Sequence, residues 1–147
     1  MIADLVAAGY LVSIPFGENH RYDSVIEKDN ALFRVQVKTG RLRNGVILFN
    51  CYSSHSHRGG PTCRQYIGEV EFFGVYCPDT DCTYLLPLSE MLTHRGHLRV
   101  APVKNGQMKG LKWAQDYILG KSRRGKLVEV GTAVVSEVPA SGATAPS

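Results

Sequence analysis

The chain has 147 residues, 44% of them hydrophobic and 20% charged, with a formal net charge of +4. A domain of that length buries roughly 68–70% of its unfolded surface, so one globular unit with a real core is expected and disorder of the whole chain is excluded. The longest apolar stretches fall far short of the ~20 residues that span a bilayer, and no export signal is recognisable, which makes a cytoplasmic setting the expectation.

In chain order, residues 2–9, with Ile2, Leu5 and Val6 apolar and Gly9 as a stop, read as the last turns of an amphipathic helix that begins abruptly. This first helix is expected to be truncated. Residues 10–14 form a short apolar strand, residues 15–19 break it, and residues 22–26 resume extended structure before Asp29-Asn30 turns the chain. From Phe33 to Lys38 the pattern alternates, with Phe33, Val35 and Val37 on one face and Arg34, Gln36 and Lys38 on the other, as in a half-buried strand. Asn44-Gly45 is a hairpin signal, because these residues accept the two positive φ angles of a type I′ turn, and residues 46–49 return as a strand.

Residues 51–62 have the polar, glycine-rich composition of a mobile loop. Residues 71–77 and 83–88 predict a second hairpin around the acidic turn 78–81. A closing helix is predicted over 110–119, ending at Gly120, with Trp113 and Tyr117 at i, i+4 in its core face. Residues 1–126 make up the expected domain, and 127–147, especially 131–147, a largely disordered tail. The element order gives an α/β (α+β) unit, a mixed sheet flanked by helices.

All seventeen Lys and Arg lie between Arg21 and Lys126, so that residues 1–126 carry a net +6. No acid interrupts the stretch between Asp29 and Glu69, and Asp116 is the one acid from Arg95 to Lys126. That balance suits a polyanionic partner, because Lys and Arg displace condensed counterions from phosphate; a merely solvated basic surface is the plainer alternative. Arg41, Arg43, His55, His57, Arg58 and Arg64 flank the first hairpin as candidate phosphate contacts, and Lys121, Arg123 and Arg124 form a second group.

The most specific local pattern is Asp23 followed by Gln36-Val37-Lys38. Residues two apart on a strand share a face about 6–7 Å apart, and the hairpin brings Asp23 alongside Gln36 and Lys38. Asp23 offers an anionic oxygen, Gln36 a neutral one and Val37 a main-chain carbonyl, a set suited to Mg²⁺ (Mn²⁺ as substitute), with Lys38 placed to orient or deprotonate an attacking water. Phosphodiester hydrolysis needs these parts. An ion pair across a hairpin, with an ordinary strand glutamine beside it, is the plain alternative.

Around these residues, the runs 15–23 (PFGENHRYD), 34–40 (RVQVKTG) and 68–78 (GEVEFFGVYCP) resemble the group I intron-associated branch of the PD-(D/E)XK endonucleases, over roughly residues 1–119. The resemblance implies a restriction-endonuclease-like core and Mg²⁺-dependent DNA cleavage of the kind homing endonucleases perform. It also implies that Asp23 stands at the motif aspartate, Gln36 at the (D/E) position and Lys38 at the lysine. Glutamine replaces the acid, and the first-helix glutamate usual in the family has only Asp4 near its place. Glu18, otherwise a solvated turn or capping residue, is the substitute considered for a fourth site member.

Cys51, Cys63, Cys77 and Cys82 are expected as reduced thiols. With His55 and His57 they match none of the tight Cys-x2-Cys pairs that signal zinc, and zinc is not expected. Tyr66 stays open between core and DNA contact. Double-stranded DNA is the expected partner, and cutting both strands calls for two sites, hence a homo-oligomer, dimer or tetramer. A Holliday-junction resolvase or repair nuclease on the same plan and a catalytically inactive DNA-binding domain remain competing readings.

Overall fold

A computed structural model describes residues 1–57, 60–91, 93–102, 106 and 109–119. Its elements are α1 (Ile2–Ala7), β1 (Leu11–Ser13), β2 (Ser24–Lys28), β3 (Ala31–Thr39), β4 (Arg41–Arg43), β5 (Val46–Asn50), β6 (Tyr52–His57), β7 (Gly60–Gln65), β8 (Phe72–Cys77), β9 (Cys82–Pro87) and β10 (Arg95–Arg99). Single 3-10 turns lie at Leu88–Glu90 and Ala114–Asp116. The main sheet has the order β1-β2-β3-β8-β9, with β3 and β8 parallel and the other neighbours antiparallel. A second sheet, β10-β5-β4, is antiparallel throughout.

Both expected tight turns form. Asp29 and Asn30 (φ 52° and 63°) join Lys28 to Ala31, and Asn44 and Gly45 (φ 48° and 74°) join Arg43 to Val46. Positive φ at both central positions matches the twist of the flanking strands, which is why these residues occupy them. Gly40 links β3 to β4 where a side chain has no room: a Cβ there would lie 2.6 Å from Ile47 Cγ2.

The core lies on both faces of the main sheet. On one face α1 packs Leu5 with Tyr10 against Ile26, Val35, Phe72, Leu85 and Leu119. On the other, Ile47, Phe49 and Leu98 of the second sheet pack on Phe73, Val75, Cys77 and Leu86, and the rings of Phe49 and Phe73 meet edge-on at 6.4 Å. Val35 pairs with Phe72, Gln36 with Phe73 and Lys38 with Val75. Since side chains alternate along a strand, Gln36 and Lys38 therefore project to the side on which the second sheet sits.

Two expectations fail. Residues 52–57 and 60–65 pair as a hairpin, β6 against β7, rather than forming a loop. Its sequence is polar, so no alternation of apolar residues announces the strands, and backbone pairing holds them together, with side-chain ties from Ser53 and Arg64. The expected helix over 110–119 is a single 3-10 turn in an extended segment. Leu85 N–H donates to the Tyr117 carbonyl and Leu119 N–H to the Thr83 carbonyl (both 2.8 Å), so the segment covers the open edge of β9. The ladder bonds of an otherwise bare edge outweigh weak helix propensity in a stretch rich in Trp, Tyr and Ile. Tyr117 still packs on the core. The expected tail, and with it Lys121, Arg123, Arg124 and Arg58, lies outside the described residues.

Candidate active site

Asp23 stands at the entrance to β2, where its N–H donates to the Val35 carbonyl (2.9 Å) and fixes it beside β3. Its Oδ2 accepts two hydrogen bonds, from Gln36 Nε2 (2.6 Å) and from Val37 N–H (2.7 Å). Gln36 thus turns the amide nitrogen toward the carboxylate, a donor facing an acceptor. Lys38 projects from the same face. Its Nζ donates to the Tyr52 carbonyl (3.2 Å) and to Tyr66 Oη (3.0 Å) and lies 4.6 Å from the centre of the Tyr66 ring. No carboxylate among the described residues forms an ion pair with it.

Tyr66 is 4% exposed and meets Phe73 edge-on at 5.7 Å, so its ring is a fixed platform. The Arg21 guanidinium also lies on that ring, at 4.3 Å, while donating to Glu69 (2.5 Å), Ser53 Oγ (2.7 Å) and the Gln65 carbonyl (3.0 Å). Arg64 pairs with the other Glu69 oxygen. Partial burial draws the Glu69 carboxyl up, but the bonds and charges of Arg21 and Arg64 outweigh it and hold the group below the usual carboxylate range. These ties anchor the β6–β7 hairpin over the site. Burial pushes the Cys51 thiol up to about 11 against the opposing pull of Lys38, which leaves it an inert core residue.

The sequence pattern named Asp23, Gln36 and Lys38, and the fold brings all three to one face. It left out Arg21 and Glu69 and left Tyr66 undecided; the extended spacing of Arg21 and Asp23, two apart, was the available signal. Glu18 is exposed in the β1–β2 connection and forms no ion pair with Lys38 and no hydrogen bond with Asp23 or Gln36 among the described residues. Asp4 is on the α1 side, where its carboxylate accepts from Thr83 Oγ1 (2.7 Å) and pairs with the Met1 ammonium (3.1 Å). His55 and His57 belong to β6, in register with Thr62 and Gly60. Arg41 and Arg43 are exposed on β4.

A divalent cation fits the donors at Asp23 in a restricted sense. No group of three His, Cys, Asp or Glu residues suited to a metal occurs among the described residues, so there is no all-protein cage. One carboxylate, one amide oxygen and one main-chain carbonyl suit a Mg²⁺ ion that keeps several waters and takes further oxygens from a phosphate substrate.

The family model for PD-(D/E)XK endonucleases matches residues 1–119. The solved structure of a bacterial homing endonuclease, I-Ssp6803I, is similar in fold, with a TM-score of 0.63 and 20% identity over 80% of each chain. No curated protein matches the chain in sequence. On the family match, which covers most of its length, this chain belongs to the PD-(D/E)XK endonuclease family, and the substrate that the family implies is DNA.

Proposed function

We propose that the protein is a metal-dependent endodeoxyribonuclease, in the manner of the intron-associated homing endonucleases, with Asp23, Gln36 and Lys38 at its centre. The observation that carries this reading is the convergence of the three side chains on one face, with the Lys38 ammonium held by neutral oxygens alone. Asp23, Gln36 after an amide turn, and the Val37 carbonyl would hold Mg²⁺ or Mn²⁺. When bound, the cation neutralises charge that develops on the phosphate and lowers the pKa of water. Lys38 orients the attacking water, and its undiverted charge faces the phosphate. Cutting both strands engages two such sites, which favours a homo-oligomer, dimer or tetramer.

Plasmid cleavage with Mg²⁺, Mn²⁺ or EDTA tests the reading. Nicking and linearisation only with a divalent ion, abolished by Lys38→Ala with duplex affinity nearly unchanged, is the expected result. Cleavage in EDTA, or full activity of Lys38→Ala, would sink it. The single carboxylate favours a second reading, a DNA-binding domain without catalysis, which duplex binding with no cleavage in either metal would select.

A further inference from the structure

The second sheet has an outer face that the Asp23–Lys38 site does not use. Its register aligns Arg41 with Leu48 and His97, Arg43 with Val46 and Arg99, and Asn50 with Arg95. The intervening set, Leu42, Ile47, Phe49 and Leu98, turns inward to the core. The outer face therefore carries two rows of basic residues, Arg41 and Arg43 on β4 and Arg95, His97 and Arg99 on β10, on either side of Val46, Leu48 and Asn50.

The three strands contain no acid. Arg21, Arg34 and Arg64 each have a carboxylate partner, whereas Arg41, Arg43, Arg95 and Arg99 have none among the described residues. Glu90, which lines a hollow of about 350 Å³ together with Arg95, His97 and Arg99, is taken by Lys112 (3.4 Å) and the Tyr117 hydroxyl. A solvated face needs charge of any kind, but arginine at all four positions supplies the planar fork that phosphate and guanine accept.

We infer that this face docks in the major groove of the duplex beside the cut; the inference rests on the reading of the protein as a DNA endonuclease. The outer strands lie two strand spacings apart, about 10 Å. The major groove is about 12 Å wide and the minor about 6 Å, so the spacing of the two arginine rows matches the walls of the major groove, which their side chains reach from the face of the sheet. Between the rows, Val46 and Leu48 suit thymine methyl groups and Asn50 an adenine edge. The second sheet stacks on the face of the main sheet that carries Gln36 and Lys38, so its outer face opens to the same side as the site. Tyr52, whose carbonyl anchors Lys38, lies two residues beyond Asn50. One duplex then meets both surfaces.

The test uses the full chain and a labelled mixed-sequence duplex in EDTA, with affinity followed across salt and cleavage followed separately in Mg²⁺. The double variants Arg41→Ala/Arg43→Ala and Arg95→Ala/Arg99→Ala should each lower the slope of log K against log salt by about 0.9 for every phosphate no longer neutralised. The corresponding Arg→Lys pairs, which keep the charge, should hold most of the slope, and the alanine pairs should weaken the protection of guanine N7 from methylation that wild type gives. Unchanged affinity and slope in both alanine pairs, with wild type still cutting, would overturn the surface and leave the nuclease reading standing. Absent N7 protection by wild type, or equal competition by duplex RNA, would overturn groove docking. A wild type that shows these slopes and the protection yet never cuts would support the surface and sink the nuclease reading instead.

Discussion

Lys38 keeps its charge available because its fixed neighbours are a carbonyl, a phenol oxygen and a ring face, none of which neutralises it. Tyr66→Phe keeps the ring and its contact with Phe73 but removes the Oη that receives the ammonium. A hydrogen bond to a charged group contributes about 1.5–3 kcal/mol, and misplacing the lysine is expected to lower kcat by roughly ten- to a hundredfold with KM and duplex affinity unchanged. If Tyr66 only supports the fold, the variant would instead lose thermal stability at unchanged kcat. Gln36 has the complementary part. Its amide donates to Asp23, whereas a glutamate there would set two carboxylates side by side. Gln36→Glu should therefore melt at lower temperature in EDTA, through like-charge repulsion, and gain more from added Mg²⁺ than wild type does. Equal metal-induced shifts in the two proteins would show that Gln36 does not face the ion.

At the scale of elements, β10 is seated by the absence of a side chain at Gly96. A Cβ there would fall 2.1 Å from the buried Phe49 ring, and the φ of Gly96 is not in the left-handed region, so packing alone sets the requirement. Gly96→Ala is expected to cost about 1–3 kcal/mol in urea unfolding, and Phe49→Leu in the same chain should recover part of it. A fully additive loss in the double variant would contradict this account. Strands whose side chains alternate between core and water were legible in the sequence, as β3 was, and so were turns that need two positive φ angles, at Asp29-Asn30 and Asn44-Gly45. The β6–β7 hairpin was hidden because its residues are polar and show no apolar alternation. The edge segment at 113–119 was misread because its apolar spacing fits a helix, and only the open edge of β9 decides otherwise. Likewise the Asp23–Gln36–Lys38 cluster follows from strand spacing, but the Arg21–Tyr66–Lys38 stack depends on where β6 and β7 fold back.

At the scale of the whole molecule, the parallel pairing of β3 with β8 is the contact that most needs support, because β4, β5 and the β6–β7 hairpin intervene between the two strands in the chain. Glu71, at the entrance to β8, bolts the pair. Its carboxylate accepts from the Arg34 N–H (2.6 Å) and from the Arg34 guanidinium (2.5 Å), while the Arg34 carbonyl accepts from the Glu71 N–H (3.0 Å). Partial burial raises the Glu71 carboxyl, but the Arg34 bonds and charge outweigh it and hold the group below the usual carboxylate range. A folded-state pKa that is depressed gives stability that is present above the unfolded value and lost as pH falls through the folded one. Glu71→Gln should thus be less stable than wild type at neutral pH, by about 1–2 kcal/mol for charge-assisted bonds that are partly exposed. As pH falls below the ordinary carboxylate value and on through the depressed folded one, the wild type should lose this advantage while Glu71 takes up a proton, and the two unfolding curves should converge. Urea titrations of both proteins from neutral pH into acid decide it: a gap that stays constant throughout would mean that the Arg34 clamp does not hold the parallel strands through the Glu71 charge.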